Sequence, residues 1–257
     1  MTGVLRQMTD IEKLARLIER SSKIVAFTGA GISTESGVPD YRSKGGLWDR
    51  FRPVTIQEFL ESEEKRAEYW AYKFGFIEEL KDAKPNEGHK AIVALEKMDR
   101  LQGVVTQNID RLHQAAGISP DKVLELHGNS LETVCLECHE VRPWEEVHER
   151  LKKGEKAPLC LTCGGLLKPN TISFGQNLDP DVLAKAYRWV KNCDLLLAVG
   201  STLIVEPAAS LPVTAKQYGA KLVIITLSST PLDDFADLKI EAKIGVTLSS
   251  AVAAVRR

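Results

Sequence analysis

Val104-Val-Thr-Gln-Asn-Ile-Asp-Arg-Leu-His113, followed by Val123-Leu-Glu-Leu-His-Gly-Asn129, is the stretch on which the reading of this chain turns. The first part begins as a short apolar strand, Gly103 to Thr106, and breaks into polar residues where such a strand ends. The second, Val123 to Leu126, ends in the same way and delivers His127 and Gly128. In open α/β sheets, ligands lie in the crevice beyond the carboxyl ends of the strands. Gln107, Asn108, Asp110 and His127 therefore arrive where a ligand would bind. Two amides, a carboxylate and an imidazole suit sugar hydroxyls and a proton acceptor. Asn and Asp also serve as ordinary cap and turn residues, so this stretch needs the support of the rest of the chain.

Working upstream, Lys23 to Thr28 reads as a buried strand that runs into Gly29-Ala-Gly-Ile-Ser33. A strand entering a glycine turn is the context for a phosphate-binding loop. The dinucleotide fingerprint is incomplete, because its third glycine falls at Thr34 and no acidic residue ends a second strand about twenty residues on. Thr34 to Trp48 reads as a loop, long enough to cover a ligand. Residues 53–81 follow with a helical pattern that carries Phe59, Tyr69, Trp70, Tyr72 and Phe74. These aromatics are expected to pack a small helical subdomain rather than to touch a ligand. Before the first strand, Ile11, Leu14, Leu17 and Ile18 share one helical face, with Thr9 or Asp10 as N-cap.

Downstream, Cys135-Leu-Glu-Cys138 and Cys160-Leu-Thr-Cys163 form two Cys-x-x-Cys pairs 21 residues apart. Four thiolates close a tetrahedral zinc shell without a vacancy, so the zinc should be structural. Cys193 reads as a buried apolar residue, and His139 and His148 as surface residues. Leu131 to Thr171 holds seven acidic and six basic residues, which argues against a nucleic-acid-reading zinc ribbon. Asn170 to Phe174 is expected to be a further strand ending at Gly175-Gln-Asn-Leu178, then a helix from about Pro180 to Lys191 and a strand from Cys193 to Val199. Pro207 opens the next helix, and a strand from Lys221 to Thr226 precedes a last small strand and helix. Strands alternating with helices imply a parallel sheet covered on both faces.

The 257 residues allow one large domain with insertions, and 44% hydrophobic and 27% charged residues describe a globular chain. A net charge of −1 gives no reason to expect nucleic acid or a membrane surface as partner. Charges run through the first thirty residues and no apolar run approaches a bilayer span, so a cytoplasmic protein is expected.

Taken together, Gly29-Ala-Gly-Ile-Ser33, Gly37-Val-Pro-Asp-Tyr-Arg42, Thr106 to His113, Leu126-His-Gly128, the cysteine pairs, Lys168-Pro-Asn, Phe174-Gly and Gly200-Ser-Thr-Leu-x-Val-x-Pro-Ala-Ala209 resemble the sirtuins. The likeness is to the short, prokaryotic type of these NAD-dependent protein lysine deacylases. It implies a Rossmann-like doubly wound parallel sheet, about residues 1–43, 86–130 and 172–257. A small domain would come from a helical module at 44–85 and a zinc ribbon at 131–171.

Carried over, the resemblance gives His127, Asn108 and Asp110 catalytic roles, His127 as the base. Gly29, Ala30, Gly31 and Ser33 fall to the NAD diphosphate, Thr34 and Arg42 to the same loop, and Tyr41 to the nicotinamide–ribose bond. Gln107 holds ribose, Ile109 adjoins the nicotinamide pocket, and Ser201 and Thr202 after Gly200 meet the adenosine half. The cofactors implied are NAD and one structural zinc on Cys135, Cys138, Cys160 and Cys163. The acyl group would pass from lysine to ADP-ribose with release of nicotinamide. The substrate is an acyl-lysine peptide, added as a strand between Phe174, Gly175 and Gln176 and the facing Val205 and Glu206. Neither a membrane nor a nucleic acid is an expected partner.

Three positions depart from the family pattern: Tyr41 for Phe, Thr226 for an Asn at the adenosine ribose, and Gln176 for Glu at the peptide cleft. Sirtuins that remove succinyl or malonyl groups carry Tyr-x-x-Arg in the helical module. Here Tyr69 is followed three residues on by Tyr72, and Lys73 lies one position further, rotated by about 100°. The expectation is therefore removal of acetyl or other uncharged acyl groups. Mono-ADP-ribosyl transfer, a dehydrogenase and a zinc-ribbon binding module are the alternatives.

Overall fold

The computed structural model describes residues 8–255, so the outermost positions assigned to the large unit, 1–7 and 256–257, lie outside it. The chain builds strands β1 Ile24–Thr28, β2 Leu101–Thr106, β3 Val123–Glu125, β4 Gly128–Cys135 and β5 Val141–Pro143. They are followed by β6 Leu167–Thr171, β7 Leu195–Val199, β8 Lys221–Ile225 and β9 Leu238–Ile240. Six of these form one sheet in the order β3-β2-β1-β7-β8-β9. Every pairing in it is parallel. This is the doubly wound sheet expected from the strand–helix alternation.

Side chains along a strand alternate between faces, and both faces of this sheet are buried. In β1, Ile24 and Ala26 join a cluster with Leu14, Ile18, Ile92, Leu95 and Leu248. Val25 and Phe27 join the opposite cluster, with Ala186, Val190, Leu211 and Ala215. All five residues of β1 are buried, which is why it reads as an unbroken apolar run. The first helix, Asp10–Glu19, is capped by Thr9 in a reciprocal box with Glu12, and the helix Pro180–Asn192 is capped by Asp179.

The second sheet is antiparallel, in the order β5-β4-β6. The expected strand Asn170–Phe174 is corrected here. The strand runs Leu167–Thr171 and pairs with β4 in the small sheet, not with the parallel one. Gly128 permits this pairing: its φ is 69°, and a Cβ there would stand 2.0 Å from the Asn170 carbonyl oxygen. Against this sheet pack the helices Ile56–Glu61, Glu63–Leu80 and Trp144–Lys152, with Trp70 stacked on Trp144 at 6.0 Å. Phe59, Tyr69 and Trp70 are buried there, as the helical pattern implied. His148 is not a plain surface residue, since its ring stacks on Phe74 at 5.1 Å and its Nε2 meets Glu78 at 2.7 Å.

Candidate functional site

Register alone lines up the ends of five strands. Thr28 pairs with Thr106 and with Val199, Thr106 with Glu125, and Val199 with Ile225. The next residues, Gly29, Gln107, Leu126, Gly200 and Thr226, continue the ladder through amides that donate to Val199, Thr28, Thr106, Ile225 and Ile240 carbonyls. The polar segments after β1, β2, β3, β7 and β8 thus start from the same edge, whereas Gly175–Leu178 follows β6 of the small sheet. The strand order reverses between β1 and β7, where the loops at Gly29 and Gly200 meet. The glycines are needed for that meeting. A Cβ on Gly29 or Gly31 would come within 2.8 or 2.7 Å of Gly200 backbone, and the Gly31 amide donates to the Gly200 carbonyl at 2.9 Å. Beyond β1 the chain makes a three-residue 3-10 turn, Ala30–Ile32, rather than the long helix of the usual dinucleotide loop.

Behind this edge a polar network fixes the loop after β2. Ser33 Oγ donates to Asp110 Oδ2 at 2.7 Å and accepts from Asn108 Nδ2 at 3.1 Å. The Leu112 amide donates to Asp110 Oδ1 at 2.9 Å, and the Asn108 amide to Thr106 Oγ1 at 3.0 Å. Burial pushes the Asp110 carboxyl up, while these donors hold it down. Gln107 Nε2 donates to Ser201 Oγ at 2.8 Å, tying the β2 end to the β7 end.

His127 Nδ1 lies 3.0 Å from the Gln107 carbonyl oxygen. A carbonyl only accepts, so Nδ1 carries the proton and the neutral ring keeps its lone pair on Nε2. Burial lowers the His127 pKa, against the raising effect of that hydrogen bond, so the ring is neutral at pH 7.

Under the strand ends, His113 Nε2 lies 2.9 Å from Thr28 Oγ1, whose hydroxyl donates to Thr106 at 2.8 Å. The His113 ring faces His89 at 5.0 Å, and His113 Nδ1 and His89 Nε2 have no hydrogen-bond partner among the described residues. Burial pulls His89 down to about 4 and His113 to about 3. Both values fall below the unfolded one, so the unfolded chain binds protons that the folded one refuses. Stability is expected to be fully present above pH 6.5 and to drop as pH falls, by about 2 kcal/mol per ring at pH 5. Denaturant unfolding from pH 7.5 to 5 checks this, and a flat profile would exclude two neutral buried rings.

The strand ends open on a cavity of about 700 Å³, in the upper range for small-molecule sites. Its walls include Gly29, Ala30, Gly31, Tyr41, Arg42, Gln107, Asn108, Ile109 and His127. Gly200, Ser201, Thr202 and Thr226 also line it, as do Phe174, Gly175, Gln176, Val205 and Glu206. Ser33, Thr34 and Asp110 do not line it, and the Thr34 hydroxyl, in an exposed residue, turns back to the Gly31 carbonyl. The Arg42 guanidinium covers the Trp48 ring at 4.1 Å, and Trp48 in turn touches Tyr41 and Phe174. Trp48 was missed in the sequence, although an aromatic at the end of a glycine-rich loop was a signal for it.

The helical module also reaches the cavity, with Tyr69, Tyr72 and Lys73. This corrects the expectation that rotation carries Lys73 away. Positions i+3 and i+4 both lie over position i of a helix, so Tyr72 and Lys73 share the face of Tyr69.

The four cysteine sulfurs lie within 4.8 Å of one another. Cys135 and Cys163 are 3.4 Å apart, Cys138 and Cys160 3.8 Å. Sulfurs 2.3 Å from a tetrahedral zinc stand about 3.8 Å apart, so the group fits one zinc with no open position. The cavity fits a dinucleotide in the same sense: glycine backbone at the switch point, side-chain amides and hydroxyls at the ends of β2, β7 and β8, and a neutral imidazole on its wall.

Residues 29–207 match the model of the Sir2 family. A protein from Rhodopseudomonas palustris named NAD-dependent protein deacetylase is 43% identical, over 94% of this chain and 96% of its own length. One of the same name from Thermodesulfovibrio yellowstonii is 47% identical, over 89% and 88%. Among solved structures, a Sir2 mutant with deacetylated p53 peptide and 3'-O-acetyl ADP-ribose superposes with a TM-score of 0.88 at 36% identity, covering 95% of this chain and 98% of that one. Family match, identity and fold agree over nearly the whole chain, and the protein belongs to the Sir2 family.

Proposed function

We propose that this protein is an NAD-dependent protein lysine deacylase. The observation that carries the reading is the His127 ring, held by Gln107 so that an unprotonated Nε2 stands on the wall of the strand-end cavity. NAD, when bound, would supply a ribose that releases nicotinamide from its anomeric carbon and takes the acyl group on a hydroxyl oxygen. The chain's own residues do the rest by positioning. Asn108, oriented by Ser33 and backed by Asp110, presents its carboxamide at the nicotinamide end. Gln107 and Ser201 meet at the ribose side, and Gly29, Ala30, Gly31, Thr34 and Arg42 form the loop for the diphosphate. Gly200, Thr202 and Thr226 edge the adenosine half, Thr226 with a shorter side chain than the family Asn. Tyr41 with Ile109 excludes water from the centre. His127 Nε2 then takes one proton.

The acyl-lysine peptide lies along Phe174–Gly175–Gln176 and Val205–Glu206, which line the same cavity. The relative solved with a p53 peptide supports a peptide as the substrate. The division into a large unit at 1–43, 86–130 and 172–257 and a small domain at 44–85 and 131–171 belongs to the same reading. It is supported by the parallel strands all falling in the first set, while β5 and β6 fall in the second and β4 begins at its border. A cytoplasmic location accords with four thiols set for metal, and no described helix is long and apolar enough to cross a membrane.

Mass analysis of products tests the reading. An acetyl-lysine peptide with NAD is expected to give free lysine, nicotinamide and acetyl-ADP-ribose in equal amounts. A protein substrate that gains the mass of ADP-ribose, with its acyl group intact, would assign the chain to mono-ADP-ribosyl transfer instead.

A further inference from the structure

Two imidazoles, His89 and His113, are buried and line none of the cavity. Their hydrogen bonds fix where each carries its proton. The Asn86 amide donates to His89 Nδ1 at 3.4 Å, so the proton of that neutral ring is on Nε2. Thr28 has one hydroxyl proton and gives it to Thr106 Oγ1 at 2.8 Å. The 2.9 Å contact between Thr28 Oγ1 and His113 Nε2 then requires the imidazole to donate, which leaves His113 Nδ1 bare. A bare Nδ1 on one ring and an Nε2–H on its neighbour, with ring centres 5.0 Å apart, are complementary. The other His113 tautomer would set two unpaired donors on adjacent buried rings.

This proton order runs on to the reacting centre. Thr106 Oγ1 also accepts from the Asn108 amide at 3.0 Å. That N–H belongs to the same peptide unit as the Gln107 carbonyl, which accepts from His127 Nδ1 at 3.0 Å. A trans peptide unit is planar, so its N–H and C=O point in opposite directions and can only turn together. Holding the N–H on Thr106 therefore aims the C=O at His127. The preceding amide is held too, from Gln107 to the Thr28 carbonyl at 2.9 Å. We propose that His113 is a positioning residue for His127, acting through Thr28, Thr106 and the Gln107–Asn108 peptide unit, with His89 selecting its tautomer.

Each link depends on the one before it. The Thr28 hydroxyl donates more strongly to Thr106 while it accepts from His113, because bonds in a buried chain polarise one another. Without the imidazole donor, that hydroxyl is free to rotate and Thr106 loses a fixed partner. The far end is anchored as well. Asn86, whose amide sets the His89 tautomer, donates through Nδ2 to the Ile32 carbonyl at 2.7 Å and to Ser36 Oγ at 2.9 Å. The chain of bonds thus begins on the loop after β1 and ends on the imidazole beyond β3.

The test compares two substitutions of similar size on the full zinc-loaded chain. His113→Gln keeps a donor for Thr28 and an acceptor in place of Nδ1, whereas His113→Met keeps neither. His113→Met is expected to lower kcat for deacetylation about tenfold, part of what a positioned base contributes, and His113→Gln less than about threefold. Thr28→Val and Thr106→Val, which exchange a hydroxyl for a methyl, should act like His113→Met and carry the test if that variant does not fold. In a His127→Ala background, followed by single-turnover product formation, His113→Met should cost less than about twofold, since it acts through the ring already removed. Equal losses in the Met and Gln variants, or a tenfold loss that persists without His127, would show that His113 only packs.

Nitrogen NMR of the His127 ring, assigned by its absence in His127→Ala, supplies a readout independent of turnover. The parent and His113→Gln should show one tautomer protonated at Nδ1, and His113→Met and Thr28→Val a mixture. The proposal rests on the deacylase reading, and the two fail differently. A His127 tautomer that responds to His113→Met, in a chain whose parent form makes no deacylated product, sinks the deacylase reading and leaves the positioning of His127. Normal deacetylation by the parent, with kcat and the His127 spectrum unmoved by His113→Met and Thr28→Val, overturns the proposal.

Discussion

His127→Ala is expected to lower deacylation by about 100- to 10,000-fold, the usual contribution of a positioned general base. The side chain sits just beyond β3 at the edge of the sheet, and among the described residues its ring makes one hydrogen bond, to the Gln107 carbonyl. Losing that bond removes little from the fold, so the melting temperature should stay within a few degrees of the parent. Binding of NAD, followed by calorimetry, should also survive, because the ring supplies a lone pair rather than a surface. In the parent enzyme, activity should fall on the acid side as Nε2 takes up a proton. That limb should lie below the ordinary histidine value, since burial lowers the His127 pKa. An Ala variant with the parent's kcat/KM would falsify the role given to His127.

Much of this arrangement was legible because it is written in local sequence. Strand ends show as apolar runs that break into Gly29, Gln107, His127 and Gly200, and parallel register then brings them to one edge. Two Cys-x-x-Cys pairs carry their metal chemistry in their spacing. What escaped was decided over distance. The pairing of β6 with β4 depends on Gly128 accepting a backbone carbonyl at a separation no Cβ allows, which no property of residues 170–174 announces. The Ser33–Asp110 bond joins positions 77 apart in sequence. Facing of His89 and His113 likewise depends on how two helices dock. Lys73 failed for another reason: a single-position rotation of 100° was treated as a change of face, whereas a helix face is wide enough to hold both i+3 and i+4.

Removing the metal from Cys135, Cys138, Cys160 and Cys163 is expected to unfold the small sheet while the parallel one persists. Cys135 ends β4 and Cys160 precedes β6, and both side chains are buried in the cluster that holds Leu47, Trp70, Trp144 and Leu167. The turn amides of Cys138 and Gly165 donate to the sulfurs of Cys135 and Cys163 at 3.5 and 3.4 Å. Such donors favour thiolate sulfur, and four thiolates brought within 4.8 Å repel one another unless a cation stands between them. Structural zinc contributes about 10–16 kcal/mol of apparent binding energy, more than a small three-stranded sheet can replace. Metal analysis should therefore give one zinc per chain, and Cys135→Ala with Cys160→Ala should bring it close to zero. Hydrogen exchange in that double variant should accelerate across 131–171 and remain slow in β1, β2, β7 and β8, whose residues pack in two separate clusters. Trp144 stacks on Trp70, and Trp70 lies on the helix that carries Tyr69, Tyr72 and Lys73 to the cavity. Deacylation should accordingly be lost along with the metal, though no cysteine lines the site. Full zinc content in the double variant, or full activity without zinc, would overturn this account.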